Sequence, residues 1–293
     1  MTHHSGERMI STILPNGTLP LGLGCSRLGS VNGASGDEAK ALLSLALDEG
    51  VRFFDTSSIY AQGDSERYLG QVIGPRDDCL ICSKGGKYLS LPKRLLVPFK
   101  TTLRSIVRRS ASARGGVAKV RSWPLPARWE AEFLMRELEG SLRRLRREKI
   151  DIHMLHSPDA AILWRGDAVG TLESARLVGK IGLVGVSVDD PEAAGAALAD
   201  PRIRVLQLPL HDGDRRYDLL IDTAAKRGVS IVAREVLSGP WAIADTVDIR
   251  GTAARRIAEV VRRNDIAMTL VGTTKADHLR EAIAAASFGY NLR

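Results

Sequence analysis

The sequence predicts an α/β fold of the (β/α)8 TIM-barrel type, and three observations lead there. Eight apolar runs of strand length alternate with about eight segments of helical periodicity, which means parallel strands joined by helical crossovers. Eight such units in about 270 residues suit a closed barrel, whereas an open doubly wound sheet usually has about five to seven strands. The glycine fingerprint of a dinucleotide-binding sheet is also missing. Gly22-x-Gly24-x-x-x-x-Gly29 has the wrong spacing for G-x-G-x-x-G, and no helix opens within it. The expected organisation is one barrel domain, residues 1–293.

Each element has a local reason. Pro15-Asn16-Gly17 is a turn signal between Ile10–Leu14 and Thr18–Leu21, predicting an N-terminal β-hairpin. Leu21–Cys25 reads as a short buried strand. Ala39, Leu42, Leu43, Ala46 and Leu47 recur at helical spacing over 37–49, and Gly50 supplies the stop. A strand is predicted over 51–56, a helix over 65–72 opened after Gly63-Asp64, and a strand over 78–83. After a long insertion, Leu134, Leu138, Leu142 and Leu145 form the stripe of a helix over 128–147. The predicted strands that follow are 150–156, 181–187, 203–208, 230–233 and 267–271. The predicted helices between and after them are 162–177, 191–198, 217–226, 253–262 and 277–286.

Composition narrows the class. Of 293 residues, 44% are hydrophobic and 26% charged, enough apolar material for one large core and too much for a disordered chain. No run approaches the roughly 18 apolar residues of a membrane span. The start, MTHHSGERMI, has no apolar stretch long enough for a signal peptide, so a cytoplasmic enzyme is expected. Cys79-Leu-Ile-Cys82 spells C-x-x-C, but alternation along a strand sends the two thiols to opposite faces. No second pair completes a zinc site, so no metal is expected.

The charge is concentrated. The chain carries +8 overall, yet residues 85–128 hold eleven Lys or Arg and no Asp or Glu. The rest is therefore net −3, the difference between +8 and the segment's +11. That weakens a general nucleic-acid-binding reading, which wants a basic domain face. The segment follows the third predicted strand, over the expected mouth of the site, and is far longer than an ordinary βα loop. Leu95, Leu96, Phe99, Leu103, Ile106 and Val107 fall at helical spacing, with Lys100, Arg104 and Arg108 on another face. Three readings stay open: a lid helix with a solvated basic face, a surface for an anionic substrate or partner, and contact with membrane or nucleic acid.

Active sites of such barrels lie at the C-terminal strand ends. There the sequence places Asp55 after Phe53-Phe54, Lys84 after Ile81-Cys82-Ser83, and His156 after Met154-Leu155. Tyr60 lies in the loop after Asp55. Singly each has an ordinary structural reading: a helix cap, a solvated strand end, a satisfied core histidine, a loop aromatic.

Together they resemble the aldo-keto reductase superfamily. Phe54-Asp55-Thr56…Tyr60…Gly63-Asp64-Ser65-Glu66…Leu69-Gly70 is similar to its signature F-D-T-A-x-x-Y-x-x-G-x-S-E-x-x-L-G. Ser83-Lys84 is similar to its strand-ending T-K, and Asp151-Ile-His-Met-Leu-His156-Ser-Pro-Asp159 to D-x-x-x-L-H-x-P-D. Gly179-Lys180-Ile181-Gly182…Gly185-Val186-Ser187, Val205-Leu-Gln207 and Val271-Gly-Thr-Thr-Lys275 extend the likeness. It runs from about Thr12 to Ala286, except for the basic segment.

The resemblance implies a catalytic tetrad of Asp55, Tyr60, Lys84 and His156. Carbonyl reduction needs a hydride at carbon and a proton at oxygen. A tyrosine with a pKa near ~10 is a poor acid at neutral pH, and a lysine cation beside it lowers that pKa. Asp55 would hold Lys84, and His156 would donate to the carbonyl oxygen. The implied hydride donor is NADPH, with NADH as the alternative. Ser187 and Gln207 would hold its carboxamide, although Val188 replaces the usual Asn. Arg234, Glu235 and Leu237 would line the ring and pyrophosphate. Thr273, Lys275, His278 and Glu281 would grip the 2′-phosphate and adenine. The implied partner is a small-molecule carbonyl substrate, large or acidic ones included. The competing reading is a nucleotide-binding barrel that acts as a sensor or interaction module through the basic segment.

Overall fold

A computed structural model describes residues 18–31, 33–74, 76–89, 125–211, 213–237 and 249–292. Eight parallel strands close into a barrel in chain order. They are β1 (Leu21–Gly24), β2 (Phe53–Asp55), β3 (Leu80–Gly85), β4 (Ile150–His156), β5 (Ile181–Ser187), β6 (Val205–Pro209), β7 (Ser230–Arg234) and β8 (Met268–Val271). The helices are α1 (Gly36–Asp48), α2 (Asp64–Val72), α3 (Ala131–Leu145), α4 (Ala160–Arg165), α5 (Asp167–Leu177), α6 (Pro191–Ala199), α7 (Asp218–Lys226), α8 (Ile249–Arg262) and α9 (Ala276–Tyr290).

Strand alternation builds two layers. Phe53, Cys82, Ile152, Met154, Val205 and Met268 fill the barrel interior. Phe54, Ile81, Leu155, Val184 and Leu206 point outward into the layer beneath the helices. Both faces are buried, which is why these strands read as continuous apolar runs. Each large side chain so buried contributes about 1.5–3 kcal/mol. The C-x-x-C pair divides as alternation demands: Cys79 joins the outer layer and Cys82 the interior. All three cysteines are free and buried.

Several predicted boundaries move, for identifiable reasons. The helix expected over 162–177 is two helices. Gly166 sits between them in the left-handed conformation (φ 75°), ending α4, and its carbonyl accepts from Arg202 Nη2 at 3.1 Å. Asp159 caps α4 through Ile162 N at 2.8 Å. The last helix runs to Tyr290, a turn past its expected end. Of the predicted hairpin, the first arm and the turn lie outside the described residues. Leu21 onward pairs in parallel with β2 and β8.

The N-terminal face is clamped by Arg147. Its guanidinium donates to Asp151 Oδ2 (2.6 Å), Arg76 O (2.6 Å), Cys79 O (3.1 Å) and Gly74 O (3.1 Å). Asp151 Oδ2 also accepts from Ile81 N at 2.8 Å. These bonds tie the N-terminal end of the barrel together, and the opposite end is the one that carries chemistry in such barrels.

Most of the basic segment, residues 90–124, lies outside the described residues, including the expected helical stripe. Its two ends are joined as an antiparallel pair. Lys87 bridges Ala127, Tyr88 N donates to Pro126 O (2.9 Å), and Arg128 N donates to Gly86 O (2.8 Å). Gly86 has φ 105°, and a Cβ there would meet the Trp129 ring at 2.2 Å. The Arg128 guanidinium lies 5.7 Å from the Tyr88 ring centre, and Tyr88 packs edge-on to Phe133 at 5.8 Å. Among the described residues, no helix is long and apolar enough to cross a membrane.

Candidate active site

The strand ends of β2, β3 and β4 bring the predicted tetrad together. Lys84 Nζ donates to both carboxylate oxygens of Asp55 at 2.7 Å and to Thr56 O at 3.0 Å. The ion pair is almost wholly buried. Lys84 Nζ lies 5.2 Å from the centre of the Tyr60 ring. Tyr60 meets the His156 ring edge-on, with ring centres 5.8 Å apart. The carboxylate, ammonium, phenol and imidazole therefore form one contiguous cluster at the barrel mouth.

Burial and charge set the protonation of these groups. Burial alone would pull Lys84 down, but the Asp55 carboxylate, with Tyr60 and Cys82, outweighs it and holds the ammonium well above its ordinary range. Burial pushes His156 well below its usual value, reinforced by the charges of Lys84, Lys87 and Arg234, so its imidazole is neutral at neutral pH. The expectation for Tyr60 needs correction. Lys84 does favour the phenolate, but burial is the larger effect and the phenol rests above its usual value of 10.0. The lysine thus restrains the rise without reversing it. Burial raises both Cys25 and Cys82, with Asp55 adding to the effect, so neither thiol is activated.

Ser187 and Gln207 extend the cluster. Ser187 Oγ donates to Gln207 Oε1 (2.9 Å), and Gln207 Nε2 donates to Asp55 Oδ1 (2.8 Å). Val188, where the motif has Asn, is buried, and its carbonyl accepts from Arg234 Nη2 at 2.8 Å. Arg234 also pairs with Asp189 and Glu235. Leu237 packs between two parts of the core. Thr273 is buried after β8, and its hydroxyl accepts from Lys275 N at 3.1 Å. Lys275 is the residue preceding α9 and makes no side-chain capping bond. Lys275 and His278 are exposed, while Glu281 pairs with Arg250 at 3.0 Å. The structure thus joins Asp55, Tyr60, Lys84, His156, Ser187 and Gln207 into one network. It places Arg234 beside them, Glu235 paired with Arg234 and Leu237 against the core, while Thr273, Lys275, His278 and Glu281 gather around the first turns of α9.

Backbone strain marks the same rim. Among the described residues, five other than glycine have positive φ: Ala61, Gln62, Arg146, Ser157 and Glu235. Ala61, Ser157 and Glu235 directly follow Tyr60, His156 and Arg234, Gln62 follows Ala61, and Arg146 ends α3. Such conformations cost on the order of 1–3 kcal/mol each and gather where geometry is imposed for function.

Sequence reasoning missed three supporting residues. Ser57 Oγ lies 3.0 Å from His156 Nδ1 and 3.1 Å from Lys84 O; its signal is that it replaces the Ala of F-D-T-A. Glu66 is buried between Ser83 Oγ and Arg144 Nε, both at 2.6 Å, and so ties β3 to α2 and α3. His153 is buried on the outer face of β4, and its Nδ1 has no partner.

Burial, reinforced by the Lys84 charge, lowers His153 to about 4 from 6.5. An unfolded chain takes up this proton below pH 6.5, whereas the native chain resists until about 4. Stability is therefore lost as pH falls through that window, by about 3 kcal/mol in total from this residue. His156 acts with the same sign. Urea unfolding at pH 7.5, 5.5 and 4.5 should show the decline, and His153→Gln should flatten it. An equal slope in wild type and variant would exclude His153 as its source.

Comparison with known proteins bears on the family and the fold. Residues 20–251 match the model of the aldo/keto reductase family. A D-threo-aldose 1-dehydrogenase of a Pseudomonas species is 29% identical over 216 residues, covering 70% of this chain and 59% of that protein. Two further curated relatives are matched over 70% and 47% of their own length. In fold, the barrel is similar to a Pseudomonas aeruginosa protein assigned to the aldo-keto reductases, with TM-score 0.71, 23% identity, and coverage of 92% and 90% of the two chains. It is also similar to an aldo-keto reductase of Klebsiella pneumoniae solved with NADPH, with TM-score 0.66, 22% identity, and coverage of 92% and 85%.

Proposed function

Because the chain belongs to the aldo/keto reductase family, we propose that it is a nicotinamide-dependent oxidoreductase. On this reading it interconverts a carbonyl and an alcohol, with Tyr60 as general acid and base. The observation that carries the reading is the buried Asp55–Lys84 pair set against Tyr60, with His156 edge-on to the phenol. A pure binding module has no use for a desolvated ion pair beside a tyrosine, because burying two charges costs several kcal/mol.

When bound, the nicotinamide supplies or accepts the hydride. The residues present fit such a group. Ser187 Oγ keeps lone pairs to accept from a carboxamide, and Gln207 Nε2 keeps a second N–H to donate to it. The N-terminus of α9, uncapped by a side chain and adjoining Lys275, suits a phosphate. In reduction, Tyr60 releases its proton to the developing alkoxide, and Lys84 stabilises the phenolate left behind. Asp55 keeps Lys84 charged and in place, with Gln207 holding the carboxylate from the other side. Arg234, Glu235 and Leu237 would flank the ring and pyrophosphate, while Thr273, Lys275, His278 and Glu281 would face the adenosine end. NADPH is preferred to NADH on the strength of Lys275. The whole chain acts as one barrel domain, with 85–128 as its insertion.

The test is a panel of aldehydes, ketones and alcohols followed by nicotinamide absorbance with each dinucleotide. Lys275→Ala should weaken NADPH about tenfold while leaving NADH nearly unchanged, since a charge-assisted bond to the phosphate is lost. Equal weakening of both in a fluorescence titration would remove Lys275 from phosphate recognition.

A further inference from the structure

Lys87 stands two residues beyond the end of β3, at the mouth of the barrel. The strands close in chain order, so β3 faces β7 across that mouth. β3 pairs with β4 so that Gly85 lies opposite Leu155, the residue before His156. Lys87 thus leaves the strand near the level of the imidazole. Its charge acts on His156, and Asp189 and Arg234 act on it in turn. Its backbone is held from both sides: Lys87 bridges Ala127, and the flanking Gly86 O and Tyr88 N bond across the neck. Lys87 is half-buried, yet among the described residues its ammonium makes no hydrogen bond or ion pair. The other two cations of this rim are matched. Lys84 is held by Asp55, and Arg234 by Asp189 and Glu235. Of the three, Lys87 alone lacks a carboxylate, and burial pulls it below its ordinary 10.5. A partly desolvated cation with no counter-ion is costly, and an anion bound beside it offsets that cost.

We propose that Lys87 binds an anionic group of the substrate, a carboxylate or a phosphate, while the carbonyl or alcohol carbon of the same molecule lies at Tyr60 and His156. The inference rests on the proposed function and narrows its substrate class. Tyr60 follows β2 and His156 ends β4, the strands on either side of β3. A short molecule therefore spans the distance from the reacting carbon to the Lys87 ammonium. The dinucleotide is not the source of this anion. On the proposed reading its pyrophosphate passes Arg234 and Leu237 after β7, and its adenosine end runs to α9 after β8. Lys87 follows β3, on the far side of the ring from β7. An ammonium is a compact charge with three donors, and both a carboxylate and a phosphate accept from it.

The test uses pairs of aldehydes that differ in one group: 4-carboxybenzaldehyde against its methyl ester, and glyceraldehyde 3-phosphate against glyceraldehyde. In wild type, kcat/KM should favour the anion in at least one pair, and the pair that does so names the group. Lys87→Met should cut that anion-to-neutral ratio about ten- to a hundredfold, the worth of one hydrogen bond to a charged group. Lys87→Arg should keep the preference, and Lys87→Glu should reverse it. A variant that is merely damaged lowers both members of a pair alike and leaves the ratio unmoved. Calorimetry supplies a readout that needs no turnover. The anionic alcohols 4-(hydroxymethyl)benzoate and glycerol 3-phosphate, each against its neutral counterpart, should show the same loss of preference in Lys87→Met. No anion preference in wild type by either measurement, an unchanged ratio in Lys87→Met, or an effect confined to dinucleotide affinity would overturn the proposal. Lys87-dependent anion binding with no nicotinamide-dependent turnover would uphold the anion site and overturn the proposed function. Turnover with no Lys87-dependent preference would overturn the anion site alone.

Discussion

Tyr60→Phe is expected to lower turnover by about 10²–10⁴-fold, the usual worth of a positioned general acid, while dinucleotide binding is retained. The substitution removes one oxygen and keeps the ring. The ring contacts survive with it: the edge-on packing with His156 at 5.8 Å and the ammonium of Lys84 at 5.2 Å. Because burial holds the phenol above its usual pKa, the wild-type proton is present throughout the neutral range. Loss of activity in Tyr60→Phe therefore reports the missing proton and not a change in charge. Single-turnover reduction, read by nicotinamide absorbance, isolates the chemical step. Retention of more than about a tenth of the wild-type rate there would rule out Tyr60 as the acid.

Lys84→Met is expected to cost both activity and stability. The ammonium is nearly inaccessible and holds both oxygens of Asp55. Removing one member of a buried pair typically costs about 3–5 kcal/mol, because the other charge stays buried and uncompensated. The Gln207 amide, a neutral group, would remain on Asp55. In a chain of this size the loss corresponds to a Tm drop on the order of 10 °C. Adding Asp55→Asn should recover much of that stability, since the orphaned charge goes with it, but should recover none of the turnover. A Lys84→Met protein that melts with wild type would show that the pair is not the desolvated unit described above.

The barrel was legible because its strands are buried on both faces and so stand out as apolar runs. For β4 and β5 the expected and observed spans coincide. Boundaries slipped where neighbours decide them. The third strand was expected over 78–83, but Asp78 is drawn into the ion pair with Arg76, and pairing begins at Leu80, whose N–H meets Arg52 O at 2.8 Å. The helix expected over 162–177 runs across Gly166, whose left-handed φ breaks it.

That Asp55, Tyr60, Lys84 and His156 would lie together was legible because three of them stand at strand ends, the fourth follows in a loop, and the motifs around them resemble one family's. The bonds that tune them were not. Ser57 reaches His156 across 99 residues of chain, and Gln207 reaches Asp55 across 152. Sequence can also name the lysine that lowers Tyr60, but not the burial that outweighs it.

The paired ends of the insertion make it a cassette. Residues 86–88 and 126–128 already stand side by side, so β3 and the helix that follows register only this neck. Closing a longer loop on a fixed neck costs little, about 0.6 kcal/mol for each doubling of length. The stretch between can therefore lengthen, shorten or be exchanged over evolutionary time without re-registering the barrel.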